Sequence, residues 1–173
     1  MKKIIFIIFA ALISLTIFLF LSFSTFSISG KSMEPTLNEG QSVFLSKISY
    51  ISSGPERGDI VLIEKEGKKW AKRIIALPGE VLEIKEGKVF VDNKELYESY
   101  IKSSHIFGSQ SVFLENDEYY VLGDNREPNQ SIDSRIFGPI SQDEIIGKIL
   151  GVFDGGYKKL EKVEYTPVAT PIE

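Results

Sequence analysis

The chain opens with an uncharged, strongly apolar segment, and this feature constrains its fold more than any other. No charged side chain occurs between residues 4 and 29, and residues 4–26 are mostly Ile, Leu and Phe. A helix of about 20 such residues spans the ~30 Å hydrocarbon core of a bilayer. Lys2 and Lys3 precede the segment, so the positive-inside tendency places residues 1–3 in the cytoplasm and the chain after Gly30 on the outer side.

A cleaved secretory signal is the alternative interpretation of this segment. Ser27, Ile28 and Ser29 offer small residues in an alternating pattern, as signal cleavage sites do. The apolar run is, however, longer than the about 7–15 residues of a signal core. We therefore predict a retained single-pass anchor at residues 4–28.

The rest of the chain is long enough for one compact domain with its own core, which we place at residues 29–155. Net charge is −4 over 173 residues and the basic residues are scattered, so we expect no nucleic-acid partner. There is no cysteine and one histidine, His105, which we interpret as a loop residue. We expect no metal and no cofactor. Residues 156–173 are charged and contain proline, which indicates a poorly ordered tail.

Short apolar runs broken by Gly, Pro and Asn predict that this domain is mainly β. The candidate strands are Ser42–Ser46, 59–64, 69–76, Val81–Lys85, Lys88–Val91, Glu118–Leu122 and 146–153. Glu86 with Gly87, and Asp92 with Asn93, have the composition of tight turns. Residues 95–111 are polar and aromatic and show no clear period.

A serine follows the anchor directly, in the stretch Gly-Lys-Ser-Met-Glu-Pro at residues 30–35. A serine hydroxyl is a weak nucleophile unless a neighbouring base takes its proton. With no histidine to spare, that base is a carboxylate or a neutral lysine. Gly30 permits close backbone approach, and backbone N–H groups around Ser32 are candidates to bind an oxyanion. For this motif alone, an ordinary turn remains the alternative.

A lysine lies in an apolar row further along the chain. One face of an extended strand would carry Trp70, Lys72, Ile74 and Ala76. Burial disfavours the ammonium form, so a lysine in this row can have a pKa low enough to act as a base. The alternative is an edge strand that keeps its lysine in water.

A third polar stretch begins with Gly-Asp-Asn-Arg at residues 123–126. If its end is extended, Ser131, Asp133 and Arg135 fall on one side, where the carboxylate and guanidinium brace each other beside a serine hydroxyl. The alternative is a polar loop with surface ion pairs of little energetic value.

In this order, just outside an anchor, the motifs resemble the type I signal peptidase family of bacteria over about residues 1–153, in its small, Gram-positive-like form. The matching stretches are Ser-Met-Glu-Pro-Thr-Leu at 32–37, Arg-Gly-Asp-Ile-Val at 57–61, Lys-Arg-Ile-Ile with Leu-Pro-Gly at 72–79, Gly-Asp-Asn-Arg at 123–126 and Ser-Ile-Asp-Ser-Arg-Ile-Phe-Gly at 131–138. The resemblance implies a signal-peptidase-like antiparallel β catalytic domain behind one transmembrane helix in the bacterial plasma membrane.

The resemblance also implies an activity, the removal of signal peptides from exported preproteins by a Ser-Lys dyad. Ser32 is then the nucleophile, Lys72 the general base and Ser131 a residue that orients the lysine. Asp133 and Arg135 form a supporting ion pair. The expected partners are preproteins, the lipid bilayer and nearby protein-export machinery.

Other roles follow from the same resemblance. Arg73 and Asp124 are implied to be partners, and Gly30 leaves the oxyanion hole to backbone groups alone. Shallow pockets for small substrate side chains are expected, with a set of candidate lining residues: Ile28, Ser29, Met33, Ala71 and Ile74.

One departure from the family pattern concerns the register of Ser131. Four residues separate Arg126 from Ser131, where the pattern has about two. We expect residues 127–130 to bulge outward as a longer turn, since Pro128 and Asn129 suit one.

The main alternative function is that of a catalytically inactive relative acting as a binding module at the membrane surface. A self-cleaving Ser-Lys repressor and a non-catalytic secreted protein are further alternatives. Intact Ser32 and Lys72, the anchor and the ordered motifs favour the enzyme.

Overall fold

A computed structural model describes residues 2–102, 106, 108–161, 163 and 165 of the chain, and His105 lies outside the described residues. The fold is mainly antiparallel β behind one N-terminal apolar helix, which confirms the predicted fold class. Helix α1 spans Lys2–Ser22, and its apolar side chains lie on the outside.

Within the described residues the chain forms strands β1 to β12, of two to nine residues each. They are β1 (Phe23–Ser27), β2 (Ser42–Ser46), β3 (Ile60–Lys65), β4 (Lys68–Ala76), β5 (Val81–Lys85), β6 (Lys88–Val91), β7 (Lys94–Glu95), β8 (Gln110–Phe113), β9 (Glu118–Leu122), β10 (Ile140–Ser141), β11 (Ile145–Phe153) and β12 (Tyr157–Lys159). A short helix, α2, spans Ser134–Phe137, and a 3-10 turn spans Gln142–Glu144.

The strands form two antiparallel sheets. The larger has the order β1-β2-β11-β3-β4-β9-β10, with β12 added to β11. The smaller has the order β7-β6-β5-β8. Both predicted turns are present as hairpins: Glu86 and Gly87 have φ of 53° and 78°, and Asp92 and Asn93 have φ of 48° and 62°. Such paired positive φ values match the right-handed twist of the strands they join.

The predicted anchor, residues 4–28, extends too far at its C-terminal end. The helix ends at Ser22, and β1 follows without a linker and pairs with β2. The reason lies in the sequence Phe-Ser-Thr-Phe-Ser, because hydroxyl-bearing residues between phenylalanines suit a half-exposed strand better than a membrane core. Phe23 stacks on Phe44 of β2 with ring centroids 5.3 Å apart.

The prediction of a poorly ordered tail is wrong for its described part. Strand β12 pairs with β11, and Tyr157 makes edge contacts with Phe44 and Phe153. Leu160 packs against the core. The hairpin with β11 is local, but the contact with Phe44 and the packing of Leu160 are long-range, and the charge-rich sequence of the tail did not reveal them. Residues 162, 164 and 166–173 lie outside the described residues.

Two core clusters lie on either side of the strand pair β3 and β4. One contains Ile28, Met33, Leu37, Val43, Leu45, Ile60, Leu62, Ala71, Ile149 and Val152, and we call it the Met33 cluster. The other contains Val61, Ile63, Ile74, Tyr119, Val121 and Ile140, and we call it the Val121 cluster. A further cluster lies beneath the smaller sheet. The larger sheet thus holds β4, and the lysine on it, between packed apolar layers.

Candidate active site

Ser32 lies in a tight excursion between β1 and β2. Backbone hydrogen bonds close the base of this excursion, since Ile28 N donates to Gln41 O at 2.8 Å and Gly40 N donates to Ile28 O at 2.9 Å. Met33 and Leu37 point into the core and are almost fully buried. Ser32 itself remains partly exposed. The buried side chains of Met33 and Leu37 therefore anchor the turn in the core and leave Ser32 at its surface.

Lys72 lies near the middle of β4, opposite Val61 of β3, and its side chain is fully buried. Its Nζ atom donates a hydrogen bond to Ser32 Oγ at 2.8 Å. The predicted apolar row is present as far as Ile74, but a bulge between Ile74 and Ala76 moves Ala76 into the cluster beneath the smaller sheet.

The surroundings of Lys72 favour a neutral amine. Burial lowers the pKa of Lys72 from 10.5 to about 8, against the opposing attraction of Asp133 and Asp124. With that pKa, about a tenth of the lysine is neutral at pH 7. A neutral amine 2.8 Å from a hydroxyl can accept its proton. The pair thus has the geometry and the electrostatics of a nucleophile and its base.

Arg73 and Asp124 form a buried ion pair beside this dyad. Arg73 Nε and Nη2 donate to the two Asp124 oxygens at 2.8 and 2.6 Å, and both side chains are at most 2% exposed. Thr36 Oγ1 donates to Asp124 Oδ2 at 2.5 Å, and Asn125 N donates to Ser32 O at 3.0 Å. We call residues 30–37 the serine turn; the ion pair ties β4 to this turn at Thr36, and the neighbouring Asn125 ties it at Ser32.

Asp133 and Arg135 also form an ion pair, but on a different backbone from the one predicted. Asp133 is itself extended, but it is the N-cap of α2, a role that aspartate favours, so Ser134 and Arg135 are helical. Arg135 Nε and Nη2 donate to its carboxylate at 2.8 Å each. Gly123 N donates to the same carboxylate at 3.0 Å, which fixes the start of the Gly-Asp-Asn-Arg motif.

Ser131 is buried near the dyad, at 6% exposure, but the predicted hydrogen bond to Lys72 is absent. Its Oγ makes no well-formed hydrogen bond with a described residue, although it lies near the Asp133 carboxylate and, against the opposing effect of burial, helps to lower the pKa of that group. A Cβ atom on Gly123 would lie 2.4 Å from Ser131 Oγ and 2.4 Å from Ser32 O, so the two serines meet across this glycine. Ser134 Oγ accepts from Val121 N at 2.9 Å and is thereby held on the backbone of β9.

The candidate pocket residues separate into two groups. Ile28, Met33 and Ala71 lie together in the Met33 cluster next to the serine turn, and Ser29 is exposed beside them. Ile74 is fully buried in the Val121 cluster. Ile74 lies two residues after Lys72 on the same face of β4, and its role as a pocket residue stays a prediction.

Several residues of the network were missed at the sequence level. Gly123 and Thr36 lie inside the motifs, so their proximity to the serine could have been expected. Glu98 and Tyr100 come from the aperiodic stretch 95–111, and Glu98 forms a buried ion pair with Arg126. No local pattern marks these two residues, because their partners are distant in sequence.

The comparison with known protein families agrees with this geometry. The family model described as signal peptidase, peptidase S26, matches residues 1–153. The chain belongs to this signal peptidase family. The match covers the serine turn, β4 and the Gly-Asp-Asn-Arg motif, and it confirms the resemblance inferred from the sequence.

Named relatives of this signal peptidase family member include two bacterial proteins. A probable signal peptidase I-2 of Synechocystis is 37% identical over 129 residues, which cover 70% of this chain and 58% of the relative. Signal peptidase IB of Staphylococcus aureus is 33% identical over 143 residues, which cover 72% of this chain and 74% of the relative. A crystal structure of signal peptidase I from Enterococcus faecalis aligns with a TM-score of 0.49 at 29% identity, over 56% of this chain and 97% of that chain.

Proposed function

We propose that this chain is a signal peptidase I, a membrane-bound serine endopeptidase that removes signal peptides from exported preproteins. The observation that carries the proposal is the hydrogen bond of 2.8 Å between Lys72 Nζ and Ser32 Oγ in a buried, apolar setting. Family membership and the names of the relatives support the same activity. They do not favour the alternative of a catalytically inactive binding module.

In the proposed mechanism, neutral Lys72 takes the proton of Ser32 as its Oγ attacks the carbonyl carbon of the scissile bond. The C–N bond then breaks, and the lysine ammonium gives its proton to the leaving amine. Water, deprotonated by the same lysine, hydrolyses the acyl-enzyme. The Ser32 N–H, which donates no hydrogen bond within the described residues, is the candidate oxyanion donor, and Gly30 leaves open space beside it.

Substrate selection in this proposal depends on the buried group beneath the serine turn. Ile28, Met33 and Ala71 would line a shallow apolar pocket that accepts only small side chains next to the scissile bond. Ser29, which is exposed two residues after the end of β1, would pair with the extended backbone of the substrate. Products should therefore end in a small residue, as mass spectrometry of a preprotein cleaved in detergent would show.

Membrane anchoring is the second part of the proposal. Helix α1 is long and apolar enough to cross a bilayer, and the rest of the fold does not cover it. With Lys2 and Lys3 inside, it makes a single pass in the bacterial plasma membrane with the catalytic domain on the outer face. Preproteins tethered in the same bilayer then meet the enzyme at a raised local concentration, near the export machinery.

Truncation tests the anchor, and the structure sets where to cut. A chain that starts at Ser22 keeps β1 and should retain most of its activity on a soluble peptide, while its processing of preproteins in vesicles falls by about 10-fold or more. A chain that starts at Ser29 loses the strand beside β2 and should lose activity on both substrates. Equal losses for the Ser22 truncation on peptide and vesicle substrates would show that α1 is a structural element and does not serve as a tether.

The pH dependence of cleavage tests the base. Since the reactive form of Lys72 is the neutral amine, activity should rise with pH along a limb with its midpoint near the pKa of about 8. An unperturbed lysine would place that midpoint near 10.4. We expect kcat/KM on a soluble peptide, measured from pH 6 to pH 10, to show the lower midpoint. A flat profile over this range would contradict a lysine base.

Ser131 is proposed to orient the Lys72 amine once substrate has closed the site, although the two groups are not bonded here. Ser131→Ala should lower kcat by about 100-fold or less, a scale typical of a group that positions a base. The matched control is Ser134→Ala, whose hydroxyl binds the Val121 backbone and should affect stability more than rate. A fully active Ser131→Ala with an impaired Ser134→Ala would assign the positioning role to Ser134.

A further inference from the structure

The C-terminal segment returns to the catalytic domain after β12. Leu160 N donates to the backbone of β11 at 3.1 Å, and its side chain packs on the Met33 cluster. The chain then passes over Gly58, where a Cβ atom would lie 2.7 Å from Tyr165 Cε2 and 3.5 Å from Val163 O. The Tyr165 ring can approach the body this closely because position 58 carries no side chain.

Tyr165 contacts Tyr100 through both its ring and its hydroxyl. The two rings form an edge contact with centroids 6.3 Å apart, and the two hydroxyl oxygens are 3.1 Å apart. Burial raises the pKa of Tyr165 to about 12, so its hydroxyl stays protonated at neutral pH. Tyr100 donates its own proton to Glu98, which leaves Tyr165 as the donor between the two tyrosines.

The ring of Tyr100 lies against the guanidinium of Arg73. Arg73 Cζ is 3.9 Å from the ring centroid, a cation–π contact on the arginine that binds Asp124. Arg73 Nη1 also donates to Gly58 O at 2.9 Å, directly beneath the Tyr165 ring. Tyr100 thus contacts Arg73 directly, and Tyr165 packs against the glycine whose carbonyl accepts from Arg73.

The hydroxyl of Tyr100 reaches a second buried ion pair. Its acceptor, Glu98, binds Arg126 Nη1 at 2.7 Å, and the two side chains are 4% and 1% exposed. Arg126 Nε in turn donates to Gly123 O at 2.8 Å. Tyr100 is therefore linked to two residues of the Gly-Asp-Asn-Arg motif. Glu98 links it to Arg126, and Arg73 links it to Asp124.

A cavity of about 310 Å³ separates the segment from the domain between its two attachment points. Its lining includes Thr36, Arg73, Tyr100, Leu160 and Val163. Leu160 lines the cavity and packs on the Met33 cluster, and Tyr165 makes a separate contact with the domain at Gly58 and Tyr100. Tyr165 is the described residue of this segment that contacts Tyr100, and through Tyr100 it reaches the Arg73–Asp124 and Glu98–Arg126 ion pairs.

We propose that Leu160, Val163 and Tyr165 form a strap and that Tyr165, acting through Tyr100, is a positioning residue for the Ser32–Lys72 dyad. The inference rests on the proposed peptidase activity. Asp124 and Asn125 hold the serine turn, so a looser Arg73 and Arg126 would let Ser32 drift from Lys72. Small displacements of this kind lower the chemical rate strongly, whereas the substrate pocket lies elsewhere and should keep its affinity.

The test compares kcat and KM of the full chain in detergent, on a signal-peptide-derived peptide with alanine at its −1 and −3 positions. Tyr165→Ala should lower kcat by about 10-fold or more with KM within about twofold of the unmodified chain. Tyr165→Phe keeps the ring over Gly58 and should recover most of the rate. The matched control is Tyr157→Ala, from the neighbouring strand β12, which is 53% exposed and contacts the aromatic rings of β2 and β11.

The outcomes separate the strap from the proposed function. An unmodified chain that cleaves nothing would count against the peptidase itself. If the unmodified chain cleaves and Tyr165→Ala matches it in kcat, or if Tyr157→Ala lowers kcat as much, the strap is overturned. Thermal unfolding would be recorded for each variant. Should Tyr165→Ala fail to fold, Tyr165→Leu, which keeps apolar bulk but lacks the aromatic ring that lies over Gly58 and against Tyr100, takes its place in the same comparison.

Discussion

Replacing Ser32 with alanine is expected to lower the rate of preprotein cleavage by about 10⁴- to 10⁶-fold, the scale seen when one member of a nucleophile–base unit is removed. The substituted residue keeps the backbone of the serine turn, whose packing depends on Met33 and Leu37. Cleavage of a purified preprotein, followed by gel and mass spectrometry, measures the effect. Unfolding in urea should be nearly unchanged.

Lys72→Met should lower the rate to a similar extent, because the two residues act as one unit. It also replaces a buried amine with an apolar side chain of similar length, so the fold should be at least as stable as before. Lys69→Met is the control, since that lysine lies on the same strand but is 48% exposed and should be dispensable. Retained cleavage in Ser32→Ala or Lys72→Met would rule out the dyad.

Asp124→Ala should be the most destabilising single change near the site, by about 3–5 kcal/mol, because it leaves the Arg73 guanidinium buried without its carboxylate. It should also lower cleavage, since Thr36 loses its acceptor on the same side chain. Urea unfolding and peptide turnover measure the two effects.

The control for Asp124→Ala is Glu95→Ala, which breaks an exposed ion pair with Lys88. Exposed pairs contribute about 1 kcal/mol or less, so this variant should unfold at nearly the original urea concentration. Equal stability losses for the two variants would mean that the Arg73–Asp124 pair is hydrated in solution and does not hold the serine turn.

Much of this fold could be predicted from the sequence because its signals are local. Alternating apolar residues gave each predicted strand to within one residue at either end, as β5 and β6 illustrate. The unusual position of Lys72 could also be recognised, since a charged residue between Trp70 and Ile74 breaks the expected pattern of a strand face. These inferences need only the two-residue period of a strand.

What could not be predicted depends on contacts between distant residues. Ile74 follows the same strand period as Lys72, yet only the packing of β9 shows that it faces the Val121 cluster. Glu98 and Arg126 are 28 residues apart, and no periodicity relates them. The stretch after Asp133 was expected to be extended, but Asp133 caps a short helix there.

The direct passage from α1 into β1 has a consequence for which bonds the enzyme can reach. Strand residues rise about 3.3 Å each, so the five residues of β1 place its far end at most about 17 Å from the end of the helix, and Ser32 follows five residues later. Because β1 is paired with β2 along its whole length, that height cannot vary as it would on a flexible linker. With α1 in the bilayer, we expect the enzyme to select bonds that the membrane segment of the substrate presents at this fixed height, in addition to selecting the small residues around them.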